Sequence, residues 1–240
     1  MQKKIKIEKF LALSGACSRR EANNFIKQGR VLLESKILTN VAERVNLDSL
    51  VHLDGKVIRP KQVLKIWKYY KPLDIICTRK DHKGRITIFD KLSQYLPEEN
   101  YLISVGRLDI NSEGLILITN HGEFARKMEL PSNGFKRVYK VRVYGDIKKF
   151  LSMNILDIQK YLGYEIFSLR LSKEKQNTKN HWFYVTLTEG KNREVRNIFK
   201  FLDLQVSRLI RIQFGEFKLD SMNPGDLILV KSEKIIFSND

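Results

Sequence analysis

Apolar residues at the start of the chain recur with the spacing of an amphipathic helix. In the stretch KIEKFLALSGA they fall at Ile7, Phe10, Leu11 and Leu13, and the pattern stops at Gly15. Residues with this spacing share one face of a helix, which can then be buried against other elements. The pattern therefore predicts a first helix that ends near residue 15.

A second helix is predicted in the next stretch, RREANNFIKQG. Ser18 precedes it as a candidate N-cap, and Glu21 follows three residues later, which is the spacing of a capping box. Gly29 is the expected C-terminal cap. Two short strand-prone runs come next, RVLLE and LVHLDGKVI, and the Asp-Gly pair at 54–55 is typical of a hairpin turn. These elements predict a compact unit over residues 1–60.

The remainder of the chain mixes strands and helices without a regular alternation. Strand-like runs are predicted at 65–70, 74–79, 114–119, 137–144 and 182–188, and the clearest helices are EFARKMEL and REVRNIFKFL. Because no regular strand–helix–strand repeat is present, the pattern favours an α+β fold over a doubly wound parallel sheet. Arg59-Pro60-Lys61 is a plausible linker, which divides the chain into domains at 1–60 and 61–240.

The charge of the chain adds a candidate partner to this picture. Its 240 residues carry a net charge of +17, and the excess is clustered in residues 1–36 and 191–211. A lysine-rich composition with an ordinary basic surface would explain the total. The clustering favours binding to nucleic acid, because a polyanion releases counterions when it meets such a patch.

Several other classes of protein are disfavoured by composition. No stretch has the length of a membrane span, and the basic N-terminus lacks the apolar core and cleavage site of a secretory signal. The two cysteines, Cys17 and Cys77, form no disulfide framework, so a reducing cytoplasm is expected. The four histidines lack metal-ligand spacing, and we expect no metal.

The second predicted helix begins with two arginines. Arg19 and Arg20 oppose the helix dipole there, which costs free energy unless an anion compensates. Arg20, Lys27 and Arg30 could line one side of this unit and contact phosphates, although ordinary solvated arginines are the alternative. The order helix, SRREA, helix, GRV and strand pair over residues 3–58 resembles the small αL RNA-binding module of a ribosomal small-subunit protein and of tyrosyl-tRNA synthetases. This resemblance implies docking on structured RNA.

One acid in the stretch VGRLDINSEGLILITNHGEFA is a candidate for chemistry. Asp109 followed by Asn111 is typical of a turn, so a structural role is the first alternative. If the segment is extended, however, Arg107, Asp109 and Asn111 project to one side. Arg193 and Arg196 in the distant stretch TEGKNREVR are available as counter-ions that would keep the carboxylate ionised. An ionised acid suits a nucleophile or an electrostatic stabiliser better than a general acid.

Four ordered motifs carry a resemblance that favours the catalytic interpretation. GRLDINSEGLILITNHGE resembles the catalytic motif of RNA pseudouridine synthases, and YYKPLDIICTR, FKRVYKVRVYG and TLTEGKNREVRNIF with VSRLIRIQFGEFKLD resemble their other motifs. The chain looks most like the RsuA/RluB branch, which modifies ribosomal RNA, and within it the large-subunit (23S) enzymes. The implied catalytic domain has a mixed, largely antiparallel sheet flanked by helices.

The resemblance also implies roles for individual residues. Asp109 becomes the essential carboxylate, which either attacks C1′ of the ribose or abstracts a ribose proton. Arg193 would hold it through a bidentate guanidinium, although a helix cap is the alternative. Tyr139 would stack on the target base, and Leu209 would form an apolar wall, although core packing would equally account for Leu209.

The target uridine must leave its helical stack before it can react. Arg107, two residues before the acid, would fill the vacated space or grip the backbone, and Arg19, Arg20, Lys27 and Arg196 would contact RNA. No cofactor enters this scheme, because GRLDINSEG has the spacing of neither a dinucleotide-binding loop nor a phosphate-binding loop.

The chain departs from the family pattern at four positions, which are Asp74, Ser112, Glu113 and His121. The first of these alters the expected turn after the Lys-Pro pair, whereas the other three leave catalysis plausible. A protein that only binds RNA or assists ribosome assembly is the alternative function. A DNA-binding protein is disfavoured because no recognition helix with a dimer element is evident.

Overall fold

The computed structural model describes residues 4–60, 63–99, 101–173 and 179–231. Lys61 of the expected linker lies outside these ranges, so the domain boundary at 60/61 stays a prediction. The elements up to residue 60 are β1 (Ile5–Lys6), α1 (Ile7–Leu13), α2 (Arg19–Lys27), β2 (Val31–Leu33), β3 (Lys36–Ile37), β4 (Arg44–Val45), β5 (Val51–Leu53) and β6 (Lys56–Ile58).

These first elements form the small unit that the sequence predicts, with a core of its own. Ser18 Oγ accepts a hydrogen bond from the Glu21 amide at 3.1 Å, and the Glu21 carboxylate accepts one from the Ser18 amide at 2.8 Å. The predicted capping box is therefore confirmed, and it fixes the start of α2. Strands β3, β2, β5 and β6 pair in that order beside the two helices.

The elements of the larger unit follow from residue 66. They are β7 (Ile66–Lys71), α3 (Ile88–Tyr95), β8 (Ile103–Val105), β9 (Glu113–Thr119), α4 (Gly122–Glu129), β10 (Arg137–Tyr144), α5 (Lys148–Ser152), α6 (Ile155–Leu162), β11 (Ile166–Leu171), β12 (Asn180–Leu187), α7 (Glu194–Phe201), β13 (Gln205–Phe214), β14 (Phe217–Lys218) and β15 (Leu227–Leu229). The strands form one sheet in the order β11-β12-β10-β13-β9-β7-β15, with β14 beside β13 and β8 beside β9.

This sheet is mixed and largely antiparallel, which confirms the predicted α+β class. Strands β9 and β13 form its parallel pair within the described ranges, and the other pairings there are antiparallel. Every residue of β9 is buried. A strand that is buried along its whole length, with an apolar run at its centre, is expected in the middle of a sheet that is covered on both faces.

One of the predicted strands is wrong. Within 74–79 only a single bridge forms, between Ile76 and Thr87, and the segment otherwise runs as a loop. Asp74 has φ of +61°, a left-handed conformation that ends the extended run after Lys71. Ile75 is nevertheless buried against α3 and β7, so its apolar character reflects packing rather than strand pairing.

A glycine fixes how closely the two central strands approach. Gly114 has φ of +106°, and a Cβ placed on it would lie 2.4 Å from the backbone oxygen of Arg211. Only glycine fits such an approach. The contact holds the start of β9, and the loop that precedes it, directly against β13.

No helix in the described part of the chain is long and apolar enough to cross a membrane. Both Cys17 and Cys77 are free thiols. Burial raises the pKa of Cys17 to about 11, so this thiol stays protonated at neutral pH.

Candidate active site

A cleft of about 350 Å³ opens on the face of the sheet where α7 begins. We call it the Asp109 cleft. Six of the residues predicted from the sequence line it, namely Arg107, Asp109, Tyr139, Arg193, Arg196 and Leu209. Strands β10 and β13 form its floor, the loop before β9 forms one wall, and the segment between β12 and α7 forms the other.

Asp109 starts a turn and faces the cleft at the same time. Its carbonyl oxygen accepts a hydrogen bond from the Ser112 amide at 3.0 Å, and its side chain is 40 % exposed. The segment is not extended, because residues 110–111 form the turn, so the condition for Arg107, Asp109 and Asn111 to project to one side is not met. Asn111 is thus not aligned beside Asp109 but lies exposed in the turn. The structural and functional interpretations of the acid are therefore compatible.

Two arginines flank the Asp109 carboxylate without a hydrogen bond to it. Arg193 Nη1 lies 3.7 Å and Arg196 Nε 4.0 Å from Asp109 Oδ2. The expected bidentate clamp by Arg193 is therefore wrong in this structure. Arg193 precedes α7 in a left-handed conformation, with φ of +52°, so it also lies outside the helix that the sequence predicts for it.

Arg196 makes the closer connection to the loop that carries Asp109. Its Nη2 donates to the Asn111 carbonyl at 2.7 Å and lies 3.4 Å from Ser112 Oγ. Burial lowers the pKa of Arg196, and the positive charge of Arg193 lowers it further, while Asp109 opposes the shift. Arg196 therefore combines two functions, because it positions the loop and supplies positive charge to the carboxylate.

Lys71 holds the same loop from the opposite side, and the sequence reasoning did not select it. Its fully buried Nζ donates to the Ser112 carbonyl at 2.7 Å and to the Pro72 carbonyl at 2.8 Å. Burial lowers the pKa of Lys71. Two cations thus bind the carbonyls of two consecutive residues, 111 and 112. The Lys-Pro motif was the signal that could have identified Lys71.

The floor of the cleft combines apolar and cationic side chains. Tyr139 and Leu209 are almost buried, with 9 % and 6 % exposed. Arg211 is the cross-strand neighbour of Tyr139 and lines the same cleft, although the sequence reasoning missed it. Its Nε donates to the Leu115 carbonyl at 2.7 Å, and its buried Nη2 has no hydrogen-bond partner among the described residues.

The basic residues predicted in the first sixty residues lie outside the cleft lining. Arg19 Nη2 pairs with Glu8 at 2.7 Å, so an internal carboxylate offsets the charge that we expected an external anion to compensate. Arg30 forms a two-point contact with Asp54, at 2.8 and 2.5 Å. Arg20 and Lys27 are exposed on α2.

Comparison with known proteins assigns the family. A model described as RNA pseudouridylate synthase matches residues 65–201, and one described as S4 domain matches residues 5–51. An uncharacterized RNA pseudouridine synthase of Rickettsia felis is 42 % identical over 221 residues, which are 92 % of this chain and 94 % of that protein. The chain belongs to the RNA pseudouridine synthases. The synthase is thus an enzyme, and its first unit is an S4 domain.

Two further relatives extend this assignment. Ribosomal large subunit pseudouridine synthase B of Haemophilus influenzae is 40 % identical over 224 residues, which cover 89 % of the synthase and 61 % of that relative. A solved pseudouridylate synthase structure superposes with a TM-score of 0.58 at 20 % identity, covering 95 % of this chain and 97 % of that one. At that identity the second match supports the fold alone.

Proposed function

We propose that this synthase isomerises a uridine of large-subunit (23S) ribosomal RNA, with Asp109 as the essential carboxylate. The substrate class is suggested by relatives named for large-subunit modification, including the Haemophilus influenzae protein. The assignment of Asp109 is supported by one observation. Its half-exposed carboxylate lies in a cleft, between two arginines that do not hydrogen-bond to it. A cytoplasmic location is part of this proposal, in keeping with the free thiols.

The reaction itself breaks one bond and forms another on the same nucleotide. The bond from N1 of uracil to C1′ of ribose breaks, the base turns, and a bond from C5 to C1′ forms. C5 then loses its proton and N1 gains one, so that no atom is exchanged with a cofactor. Asp109 supplies negative charge beside the ribose, either by attack on C1′ or by removal of a ribose proton. Both routes require an ionised carboxylate that is not saturated by hydrogen bonds.

The neighbours of Asp109 suit that requirement. Arg193 and Arg196 place positive charge 3.7 and 4.0 Å from the carboxylate, and these distances leave the oxygen lone pairs accessible to a substrate. Tyr139 and Leu209 offer a flat aromatic ring and an apolar wall to a uracil ring in the cleft. Arg107 is exposed at the cleft mouth, where it fills the space that the uridine leaves in the RNA stack.

The remaining basic residues provide affinity for RNA. Extrusion of the uridine costs a few kcal/mol, roughly the unstacking and unpairing energy of one base. Phosphate contacts by Arg20 and Lys27 of α2, and by the exposed part of Arg19, offset that cost. In this scheme residues 1–60 form the RNA-docking domain, and residues 61–240 form the catalytic domain.

The direct experiment is a conversion assay on unmodified ribosomal RNA. We expect the purified synthase to form pseudouridine in a 23S transcript and not in a 16S transcript. Asp109→Asn should lower the single-turnover rate by at least about a thousandfold, because the charge at the reacting sugar is lost, while RNA affinity is kept. Asp157→Asn, which removes an exposed carboxylate at the start of α6, is the matched control and should react normally.

Two outcomes would contradict this function. Conversion by Asp109→Asn at the wild-type rate would exclude the assigned carboxylate. Tight binding of 23S RNA without conversion by the wild-type synthase would instead favour the alternative of a protein that only binds RNA.

A further inference from the structure

The sheet of the catalytic domain has two unlike faces where β11, β12, β10 and β13 lie side by side. One face carries Val141, Val143, Phe183 and Val185 into the core beneath α6 and α7. The other face, which we call the outer face, carries the alternate residues of each strand. They are Val138, Lys140, Arg142, Tyr144, Ser168, Arg170, Asn180, Trp182, Tyr184, Thr186, Gln205, Arg208, Ile210 and Gln213.

The composition of the outer face is unlike that of an ordinary solvated sheet. Its fourteen side chains include four cations and three aromatic rings, and none of the fourteen is acidic. Tyr144 is 46 % exposed, and the side chain of Arg208 is 48 % exposed. Mixed charges are the usual state of a protein surface. Arg208 is paired with the Glu113 carboxylate at 2.7 Å, whereas Arg142 and Arg170 form no ion pair within the described residues. Cations of this second kind indicate a polyanionic partner.

The cations and rings on this face are interleaved in space as well. Lys140 Nζ lies 4.9 Å from the centre of the Trp182 ring and 6.0 Å from that of Tyr184. Arg142 lies directly opposite Arg208 in the β10·β13 register. Glu113 already compensates the charge of Arg208, with contacts at 2.7 and 3.3 Å. Arg142 is therefore the cation of this facing pair that a phosphate would contact.

The outer face is continuous with the rim of the Asp109 cleft. Lys136 Nζ lies 3.6 Å from the centre of the Phe167 ring, which is 57 % exposed. Lys136 is next to Arg137 in sequence, and Phe167 is next to Ile166. Arg137 and Ile166 both pair with Leu187 in the sheet, and Arg137 and Leu187 line the cleft. A strand of RNA that leaves the cleft at this rim would reach the outer face next. Four strands span about 15 Å, enough for a few nucleotides.

We propose that the outer face binds single-stranded RNA that flanks the target uridine. The cations contact phosphates, and exposed rings such as Tyr144 and Phe167 stack on bases, which is the usual combination in proteins that hold single strands. The proposal rests on RNA as the substrate and extends the contact surface beyond the cleft. An acidic protein surface is the competing partner, but it would leave the exposed rings without bases to stack on.

Two RNAs of different length test this surface. The short one is a stem-loop that contains only the target uridine and its immediate stem, and the long one adds about ten single-stranded nucleotides. We expect the triple variant Lys136→Gln, Arg142→Gln, Arg170→Gln to bind the long RNA about tenfold more weakly than the wild type. Its salt slope for the long RNA should fall by about 2, since each lost phosphate contact is worth roughly 0.7 on a single strand. Affinity for the short RNA should not change.

The control variants separate a binding surface from a general effect of charge. Lys148→Gln, Lys160→Gln, Lys200→Gln removes three exposed cations from α5, α6 and α7 and should bind both RNAs like the wild type. Arg142→Lys, Arg170→Lys keeps the charge and should retain most of the long-RNA affinity. Conversion of the short RNA by the wild type tests the proposed function, and binding of the long RNA by the triple variant tests the outer face. The two proposals are therefore tested in different experiments.

The proposal is overturned if the triple variant binds the long RNA as tightly as the wild type, a result that favours an acidic protein partner. An equal loss for both RNAs, or an equal loss in the control triple variant, overturns it as well. Either result would mean that the affinity came from total charge or from correct folding rather than from this face.

Discussion

Asp109 and Glu113 are two carboxylates four residues apart, and they differ in exposure and in hydrogen bonding. Asp109 is 40 % exposed and lies 3.7 and 4.0 Å from its arginine neighbours. Glu113 is 5 % exposed, accepts hydrogen bonds from Arg208 at 2.7 and 3.3 Å, and accepts another from the Tyr70 hydroxyl at 2.9 Å. The Asp109 carboxylate is therefore accessible to a substrate, whereas the Glu113 carboxylate is buried and hydrogen-bonded.

The pKa values of Glu113 and its neighbour Tyr70 reflect these hydrogen bonds. Burial alone would raise the pKa of Glu113, but the hydrogen bonds from Arg208 and Tyr70 bring it below its ordinary value. Burial and the neighbouring carboxylate raise the pKa of Tyr70 to about 12. Such a group stabilises the fold but has no oxygen left for a substrate. The comparison shows that the surroundings leave the Asp109 oxygens accessible to a substrate, whereas the Glu113 oxygens are occupied by hydrogen bonds.

The largest expected effect of a substitution around these two carboxylates is on the single-turnover rate, when the arginines beside Asp109 are replaced. We expect Arg196→Ala to lower the single-turnover rate about a hundredfold, or about 2.7 kcal/mol, because it removes both the charge and the hydrogen bond to Asn111. Arg193→Ala should cost about tenfold, because only a charge is lost. Arg196→Lys keeps the charge but loses the guanidinium contact with the Asn111 carbonyl, so its rate should fall between these two values. Equal rates for all three variants would contradict this division of roles.

A smaller effect is expected in stability when Glu113 is removed. Glu113→Ala should lower the free energy of unfolding by about 2 kcal/mol, mainly because the buried Tyr70 hydroxyl loses its acceptor. Arg208 is half exposed and can turn to water, so its lost ion pair adds little. Urea denaturation measures the change, and Glu113→Gln, which keeps an acceptor, is the matched control. A loss of conversion in Glu113→Ala well below its melting temperature would show that the two carboxylates are not separate in function.

The smallest effect is a pH dependence of stability. The pKa of Glu113 is lower in the folded chain than its ordinary value of 4.5. Its contribution to stability is therefore complete above about pH 4.5 and is lost as the pH falls through the folded-state pKa. We expect wild-type stability to fall below pH 4.5 by up to about 1 kcal/mol more than that of Glu113→Gln. Parallel stability curves for the two proteins would contradict the assigned cause.

Local sequence patterns predicted those parts of the fold that depend on neighbouring residues. The alternation in β10 gave its bounds of 137–144, and the spacing of Ser18 and Glu21 gave the start of α2. The predicted strand at 74–79 failed because left-handed Asp74 and burial of Ile75 decide that segment. Apolar residues alone do not distinguish a buried loop from a strand.

The sequence predicted which residues would lie together in one cleft, but not the geometry of their contacts. The motifs predicted that Asp109, Tyr139 and Arg193 lie close together, and all three line one cleft. That Arg196 rather than Arg193 contacts the loop depends on where α7 begins, which the motifs do not encode. The contacts of Lys71 and Arg211 were not predicted, because they join residues 41 and 96 positions apart. Such contacts depend on tertiary packing, which no local pattern encodes.

The most direct test of this account places both carboxylates in one experiment. Single-turnover conversion of 23S RNA and the free energy of unfolding should be measured together for Asp109→Asn and Glu113→Ala. We predict that the first variant folds with wild-type stability and forms no pseudouridine, and that the second is less stable and still forms it. Normal conversion by Asp109→Asn would contradict the claim that this exposed carboxylate performs the chemistry.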